Sequence, residues 1–468
     1  MNFISFLNKE DQNSYSLLKY LEESRGLSAP IFRIQENLAF SPFILKKTIK
    51  KLKEDLELFQ LDTSFQLSEL DFELKLAVDG KCSSRKLLGN YLRNSLSLKM
   101  ILSLFKNDFK SVGDFGQKNF VSYSVAYNTL RNINDNGQIY GITAKRGKLF
   151  DSENRISSFL CSLFTLANID FADVYRPEII ATTEQIVEGV HREYNLTRYE
   201  RKKLFHYIAI KLQAGKISRV VDGGYDLFPS ESLELVQDLL PAAYKEIDYH
   251  IISWLFVNNK VEIKGMTGDL GSDTAQLNQK FMEKFEQRYG TLEAELKHNL
   301  LQGLSRFHFN ILYRSIHMFD PLELDADFFT QYWSEFYRFA AEYVQNTICE
   351  YPELLKFEQF LAFHYTMIMI DNVPFDRLIK PVKVFIDFSY GDRYNRFVAD
   401  NLTTFIKINT IAVDSIEQAD LILTNVNDLY PDTDLDVVVW LDLPRSIDWM
   451  MLLEHLIRIQ EEILKDVK

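Results

Sequence analysis

Chain breakers are scarce: 18 Gly and 11 Pro in 468 residues leave no room for a collagen-like repeat or long low-complexity disorder. Cysteine is scarcer still. Cys82, Cys161 and Cys349 are far apart and odd in number, which argues against a disulfide framework and for a reducing cytoplasm. No CxxC pair occurs, so a structural zinc site is not expected. No apolar run reaches the roughly 18 residues needed to cross a bilayer; the stretch from Phe360 to Ile370, among the longest, contains His364. Met1 to Glu10 lacks a basic segment followed by a long apolar one, so neither a secretory leader nor a membrane partner is expected. H-E-x-x-H and Walker sequences are missing, and no Ser/His/Asp arrangement can be identified by spacing. Enzymatic activity, a bound metal and a cofactor are therefore not expected.

Large apolar side chains are plentiful. With 36 Phe, 23 Tyr and 46% hydrophobic residues, the chain reads as mainly helical and multidomain, with about three to five domains. Its net charge of −13 is unevenly spread. Residues 1–150 carry 22 basic and 16 acidic side chains, and residues 81–150 carry 12 and 3. The remainder holds 31 basic against 50 acidic residues. Attraction to phosphate depends on the local patch, so the N-terminal excess favours nucleic acid where the whole-chain charge discourages it.

Two segments near the N-terminus follow a helix-turn-helix pattern. Asp11 to Glu22 has helical spacing of Tyr15, Leu17, Leu18 and Leu21, a short element follows at Ile31 to Ala39, and Ser41-Pro42 signals a helix start. The helix from Pro42 to Phe59 would bury Leu45, Ile49, Leu52 and Leu56 and show Lys46, Lys47, Lys50, Lys51 and Lys53 on its other side. The same spacing also describes a solvated amphipathic helix. Asp62 to Val78 could serve as a wing, but its acidity makes it a poor phosphate contact.

The second segment is the stronger candidate for direct contact with double-stranded DNA. Ser95 to Lys106 and Val112 to Asn119 read as helices, Phe120 to Ser122 as the turn, and Ser122 as the cap of a helix running to about Asn134. Val125, Ala126, Leu130 and Ile133 would face inward. Tyr123, Ser124, Tyr127, Asn128, Arg131 and Asn132 would face outward, residue types that read base edges and phosphates. Asn136-Gly137 suggests a turn, Gln138 to Ile142 a strand, Lys145-Arg146-Gly147-Lys148 a cationic loop and Leu149-Phe150 a return strand. This is the layout of a winged helix, with Lys145, Arg146 and Lys148 at the wing.

The stretch Arg146-Gly147-Lys148-Leu149-Phe150-Asp151-Ser152-Glu153-Asn154-Arg155-Ile156-Ser157-Ser158-Phe159-Leu160 resembles the junction L-x-G-x-E-x-x-I-R-x-F-L of the Mga/AtxA family of Gram-positive virulence regulators, with Asp151 replacing the Gly and the Arg-Ile order exchanged. The order of segments along the whole chain resembles that family as well. The resemblance implies helix-turn-helix units over residues 1–80 and 81–160, degenerate phosphotransferase regulation domains over 161–280 and 281–379, and an enzyme IIB-like α/β domain over 380–468. It implies a cytoplasmic, homodimeric transcription activator, with RNA polymerase as a further partner.

Each half of the helical middle places a His in an apolar, aromatic-rich helix. His206-Tyr207-Ile208-Ala209-Ile210-Lys211 resembles the H-x-x-A-I helix of a phosphotransferase regulation domain. His308 is the choice in the second half, with His298 the alternative. In such domains His takes phosphate from the phosphocarrier protein of the sugar phosphotransferase system. A neutral imidazole is chemically suited to that attack, and the product adds about two negative charges. The other expected His of the first half falls near Ser253, which departs from the pattern. A hydrogen-bonded core His fits the same sequence.

After Pro381, strands at Val382–Phe388, Ile408–Val413, Leu421–Asn425 and Val437–Leu441 interleave with helices at Arg393–Phe405 and Ile447–Lys465. This predicts a small parallel α/β fold. The loop Ser389–Asp392, where the transport enzymes resembled carry a phosphorylated Cys, has none, which favours a packing or dimerisation module. Two rival functions remain open. One is an RNA-binding antiterminator, which also carries paired regulation domains but begins with a β-rich module. The other is a phosphotransferase enzyme with a phosphorylated intermediate.

Overall fold

The computed structural model describes residues 3–138, 141–215, 228, 230–262, 272–320, 333–374, 380–405, 409–430, 433–440 and 443–466. These form two compact units. One comprises Met1–Met266 with Phe309–Pro321, and the other Thr267–His308 with Leu322–Lys468. The architecture is mainly α, with a small parallel sheet at the C-terminal end.

The first unit opens with α1 (Lys9–Glu23), β1 (Ser28–Pro30), α2 (Ile31–Asn37), α3 (Pro42–Leu58), β2 (Phe65–Leu70) and β3 (Glu73–Val78). Asn8 starts α1 by accepting the Asp11 N–H, and Ser41 starts α3 by accepting that of Ile44. Leu45, Ile49, Leu52 and Leu56 line the buried face of α3, as their spacing predicts. The sheet runs β1-β3-β2, wholly antiparallel. Asp71 and Phe72, both at positive φ, make the tight turn of the β2–β3 hairpin.

A second set of elements follows: α4 (Ser84–Asn94), α5 (Leu96–Phe105), α6 (Val112–Lys118), α7 (Tyr123–Gln138), β4 (Thr143–Lys145), β5 (Lys148–Phe150) and α8 (Glu153–Ala167). Two expectations need correction here. Asn136-Gly137 does not turn the chain, because α7 continues through it to Gln138. The strand expected from Gln138 to Ile142 begins only at Thr143, with residues 139–140 outside those described. The reason lies in Gly137, where a Cβ would sit 2.4 Å from the Ile142 carbonyl oxygen. Glycine is thus needed for the returning chain to close on the helix, and Ile142 N–H donates to the Gly137 carbonyl.

The rest of this unit is helical: α9 (Phe171–Val174), α10 (Pro177–Tyr194), α11 (Arg198–Ala214), α12 (Ser230–Gln237), α13 (Asp248–Val257) and a π-helical turn, Asn310–Arg314. A capping box between Thr197 and Glu200 starts α11, whose residues from Lys203 to Leu212 are all buried.

The second unit contains α14 (Ser272–Tyr289), α15 (Ala294–Phe309, up to His308), α16 (Ser334–Thr347), α17 (Pro352–Leu355) and α18 (Glu358–Asn372). Its core is aromatic, with Phe281, Phe339, Tyr343 and Tyr365 in mutual ring contact. Then come β6 (Val382–Asp387), α19 (Asp392–Phe405), β7 (Thr410–Val413), β8 (Leu421–Thr424), β9 (Asp436–Val439) and α20 (Ser446–Asp466). The four strands are parallel, as the alternation of strands and helices predicts, and lie in the order β7-β6-β8-β9. Val382, Val384, Leu421, Leu423 and Trp440 pack with Leu452 and Leu456 of α20 in one core.

Candidate nucleic-acid interface

The two helix-turn-helix motifs superimpose in sequence at an offset of 81 positions. Helix α2 at 31–37 corresponds to α6 at 112–118. Phe40 N–H donates to the Gln35 carbonyl at 2.9 Å, and Val121 N–H donates to that of Gly116 at the same distance. Ala39 and Phe120 hold the turn at φ 52° and 57°. Ser41 and Ser122 cap the recognition helices of the first and second motifs, α3 and α7, through the N–H groups of Ile44 and Val125. A Cβ at Gly116 would lie 3.0 Å from the Val121 carbonyl oxygen, so this position keeps the second turn tight. Lys46, Lys47, Lys50 and Lys51 therefore occupy the same places as Tyr127, Asn128, Arg131 and Asn132.

This correspondence sorts the candidate contacts. Tyr123, Ser124, Tyr127, Asn128 and Arg131 are exposed on α7, and Lys46, Lys47 and Lys50 on α3. Tyr123 and Tyr127 lie nearly parallel, 6.3 Å apart, one turn above the other. Val125, expected inward, is on the surface: Ala126 and Ile133 supply the buried stripe of α7 instead. Lys51 and Asn132 do not share the outer face. Lys51 is partly buried between Asp11 at 2.8 Å and Asp55 at 2.6 Å, and sits over the Tyr91 ring. Burial alone would lower its pKa, but the two carboxylates outweigh burial and raise it. Asn132 donates to the Ser5 carbonyl at 2.9 Å. Both positions fasten a recognition helix to the body.

The wing is a two-residue hairpin. Lys145 pairs with Lys148 across it, and Arg146 and Gly147 take φ 49° and 75° in the turn. A Cβ at Gly147 would meet the Phe109 carbonyl oxygen at 3.0 Å. Asn134 locks the wing to α7: it accepts the Ala144 N–H at 2.6 Å and donates to the Ala144 carbonyl at 3.3 Å. The sequence reading overlooked this clamp, since an Asn on a helix flank is normally only a polar surface residue.

Ion pairing divides the exposed cations. Lys47 is held by Glu10, Lys50 by Glu54 and Arg131 by Asp135. Lys46, Lys145, Arg146 and Lys148 are exposed and form no ion pair among the described residues. Lys99, Lys106, Lys110 and Lys118, which sequence motifs did not single out, line a shallow hollow beside α6, although the charge excess of residues 81–150 had signalled them.

The three histidine candidates are placed very differently. His206 is buried on α11, with Nδ1 2.8 Å from the Tyr175 hydroxyl and Phe171 and Phe205 against its ring. His308 is buried between Asn278 at 2.7 Å and the Tyr365 hydroxyl at 2.9 Å. Burial pushes both rings down to about 3, with Lys202 adding to the effect at His206. His298 is exposed on α15, with Nε2 2.9 Å from Gln302 Nε2. In the α/β domain, the Ser389 N–H donates to the Asn425 side chain and the Gly391 N–H to the Phe388 carbonyl, so two donors of the Ser389–Asp392 loop are already engaged.

Residues 80–164 match the family described as the Mga helix-turn-helix domain. The match spans α4 to α8, the second motif with its wing and the helix that closes it. The segment is thus similar to the helix-turn-helix domain of that family, which supports a DNA-binding role in transcription regulation. No curated protein matches the chain at a significant level. Among the described residues, no helix is long and apolar enough to cross a membrane.

Proposed function

We propose that this chain is a transcription activator that grips double-stranded DNA through α3, α7 and the β4–β5 wing. The observation that carries the proposal is the second motif, residues 80–164 with their exposed and unpaired wing cations. In this reading α7 lies in the major groove with Tyr123, Ser124, Tyr127, Asn128 and Arg131 toward it, and Lys145, Arg146 and Lys148 contact phosphates beside it. The equivalent face of α3, with Lys46, Lys47 and Lys50, supplies a second and more purely electrostatic contact. The chain acts without catalysis, as a homodimer engaging RNA polymerase.

Histidine phosphorylation linked to sugar uptake tunes this activity, and His298 is the favoured acceptor because its ring is at the surface. Phosphorylating His206 or His308 would place about two negative charges in an apolar core, so either helix would have to leave its bundle first. Mass spectrometry of the chain after incubation with phosphorylated phosphocarrier protein tests this. Phosphate on His298 supports it, and no phosphate on any His leaves these helices as scaffold. Competition between duplex DNA and structured RNA tests the primary reading. Preference for RNA would replace it with the antiterminator alternative.

A further inference from the structure

Beside the first turn of α8 lies a buried group with more donors than acceptors. Arg314 ends the π-helical turn, a geometry that recurs at ligand sites. Its side chain is 0% exposed, stacks 4.1 Å from the Tyr249 ring centre, and none of its three nitrogens has a hydrogen-bond partner among the described residues. Lys211 on α11 is equally buried and reaches Glu153 Oε1 and Asn154 Oδ1 only at 3.3 Å each. The hydroxyl of Tyr207, whose ring lies under the Lys211 ammonium, is buried and unpartnered too. Among the described residues, two cations thus share one carboxylate, Glu153.

The chain satisfies a buried cation fully elsewhere. Lys203 is ion-paired with Asp320 and donates to His317 Nδ1 at 2.8 Å, while Ser162 donates to Asp320 at 2.6 Å and His317 Nε2 meets Asn258 at 3.0 Å. Against that, Arg314 stands out. The face of Tyr249 attracts the guanidinium but leaves its N–H groups, which lie in its own plane, without acceptors. A buried charge without a partner is strongly disfavoured unless a ligand supplies one. Burial pushes Lys211 down to about 8, with Glu153 opposing and Arg314 adding to the effect.

We propose that Lys211 and Arg314, assisted by the Tyr207 hydroxyl, form a site for a small oxyanion: inorganic phosphate or the phosphate group of a phosphorylated metabolite. An Arg fork and a Lys point charge suit a tetrahedral oxyanion, and the aromatic walls exclude water from it. The placement gives such a ligand a lever. Glu153 and Asn154 belong to the first turn of α8, directly after the wing strand β5, and Asn154 also donates to the Tyr313 carbonyl at 2.8 Å. An anion that draws Lys211 from Glu153 alters the anchor of the wing; this last step rests on the DNA-binding reading, the site itself does not.

The test is calorimetric titration of the full chain, without DNA, with inorganic phosphate and separately with glycerol 3-phosphate, in chloride buffers of matched ionic strength. One saturable site per chain is expected, and the tighter probe identifies the free ion or the esterified phosphate as the ligand. Arg314→Met should weaken binding at least about ten-fold while melting no lower than the unmutated protein in phosphate-free buffer, since an unpaired charge has been removed. Lys211→Met carries the same test should Arg314→Met fail to fold. Lys145→Ala/Arg146→Ala should bind the anion unchanged. No saturable heat with either probe, or undiminished binding in folded Arg314→Met and Lys211→Met, overturns the proposal. Because DNA is absent, a failure here is distinct from a failure to bind duplex.

Discussion

Replacing Lys145 and Arg146 together by Ala tests the wing most directly. Both side chains are exposed and unpaired, and the turn they flank is set by the φ values of Arg146 and Gly147. Their removal leaves no buried partner behind, so the melting temperature should not move. If each touches one phosphate, the slope of log K against log salt should become shallower by about 1.8 units, at about 0.9 per phosphate on B-DNA. Over a four-fold rise in salt, from about 50 to about 200 mM, the affinity gap between parent and variant should then shrink by about 12-fold. A random-sequence duplex suffices, since phosphate contacts are indifferent to sequence. Fluorescence anisotropy across four salt concentrations gives both slopes. Parallel lines, even with weaker binding throughout, would refute the wing as a phosphate contact.

Other expectations follow from the same contacts. Asn134→Ala should cost about 1–2 kcal/mol in urea unfolding by leaving the Ala144 N–H unsatisfied, and should weaken DNA binding without changing the salt slope, because no charge is lost. Ser122→Ala should destabilise by about 1 kcal/mol through loss of the cap on α7. His308, held near 3 in the fold and titrating near 6.5 when unfolded, makes the unfolded chain the stronger proton binder between those values. Stability is therefore lost as pH falls from 6.5 toward 3, by about 2 kcal/mol at pH 5 from this ring alone. Urea midpoints should show the cost of His308→Phe to be smaller at pH 5 than at pH 7 by that amount, and an equal cost at both would contradict the burial argument.

Local signals made much of this architecture legible. Ser41-Pro42 and Ser122 announced both recognition helices, because capping and helical periodicity act over a few residues. The parallel arrangement of the C-terminal strands followed from their alternation with helices. What escaped were features set by long-range packing. Gly137 looks like a turn residue, yet it serves the close return of Ile142, a contact no periodicity reports. Val125 fits an apolar stripe, but the neighbouring Ala126 lies in the tight approach of α6 to α7, leaving Val125 at the surface. Lys51 is spaced with the outer lysines and is captured by Asp11 from another helix. Arg314 sits in a run of aromatic and aliphatic residues, where a basic residue reads as a helix-end surface charge.

The ion pairs also explain how a strongly acidic chain keeps a usable cationic face. Surface pairs such as Lys50 with Glu54 and Arg131 with Asp135 are worth about 0–1 kcal/mol. Exchanging the carboxylate for a phosphate therefore costs little, and the neighbouring acid lowers background attraction to other polyanions while the helix is free. Lys51 is different: partly buried and held by two carboxylates, it could not swing out without taking the cation from both Asp11 and Asp55. The 81-position correspondence places Asn132 at the same site, where it holds Ser5 without charge. One position of the motif is thus committed to anchoring the recognition helix in both copies, while the positions four and five residues before it remain free to carry Lys in one copy and Tyr and Asn in the other. In the proposed function, that division would let the first motif supply electrostatic grip and the second supply base-edge chemistry from a single backbone geometry, and it predicts that exchanging Lys46 and Lys47 for Tyr and Asn would leave stability unchanged. The same exchange should make the salt slope shallower, and an unaltered slope would remove α3 from the DNA contact altogether.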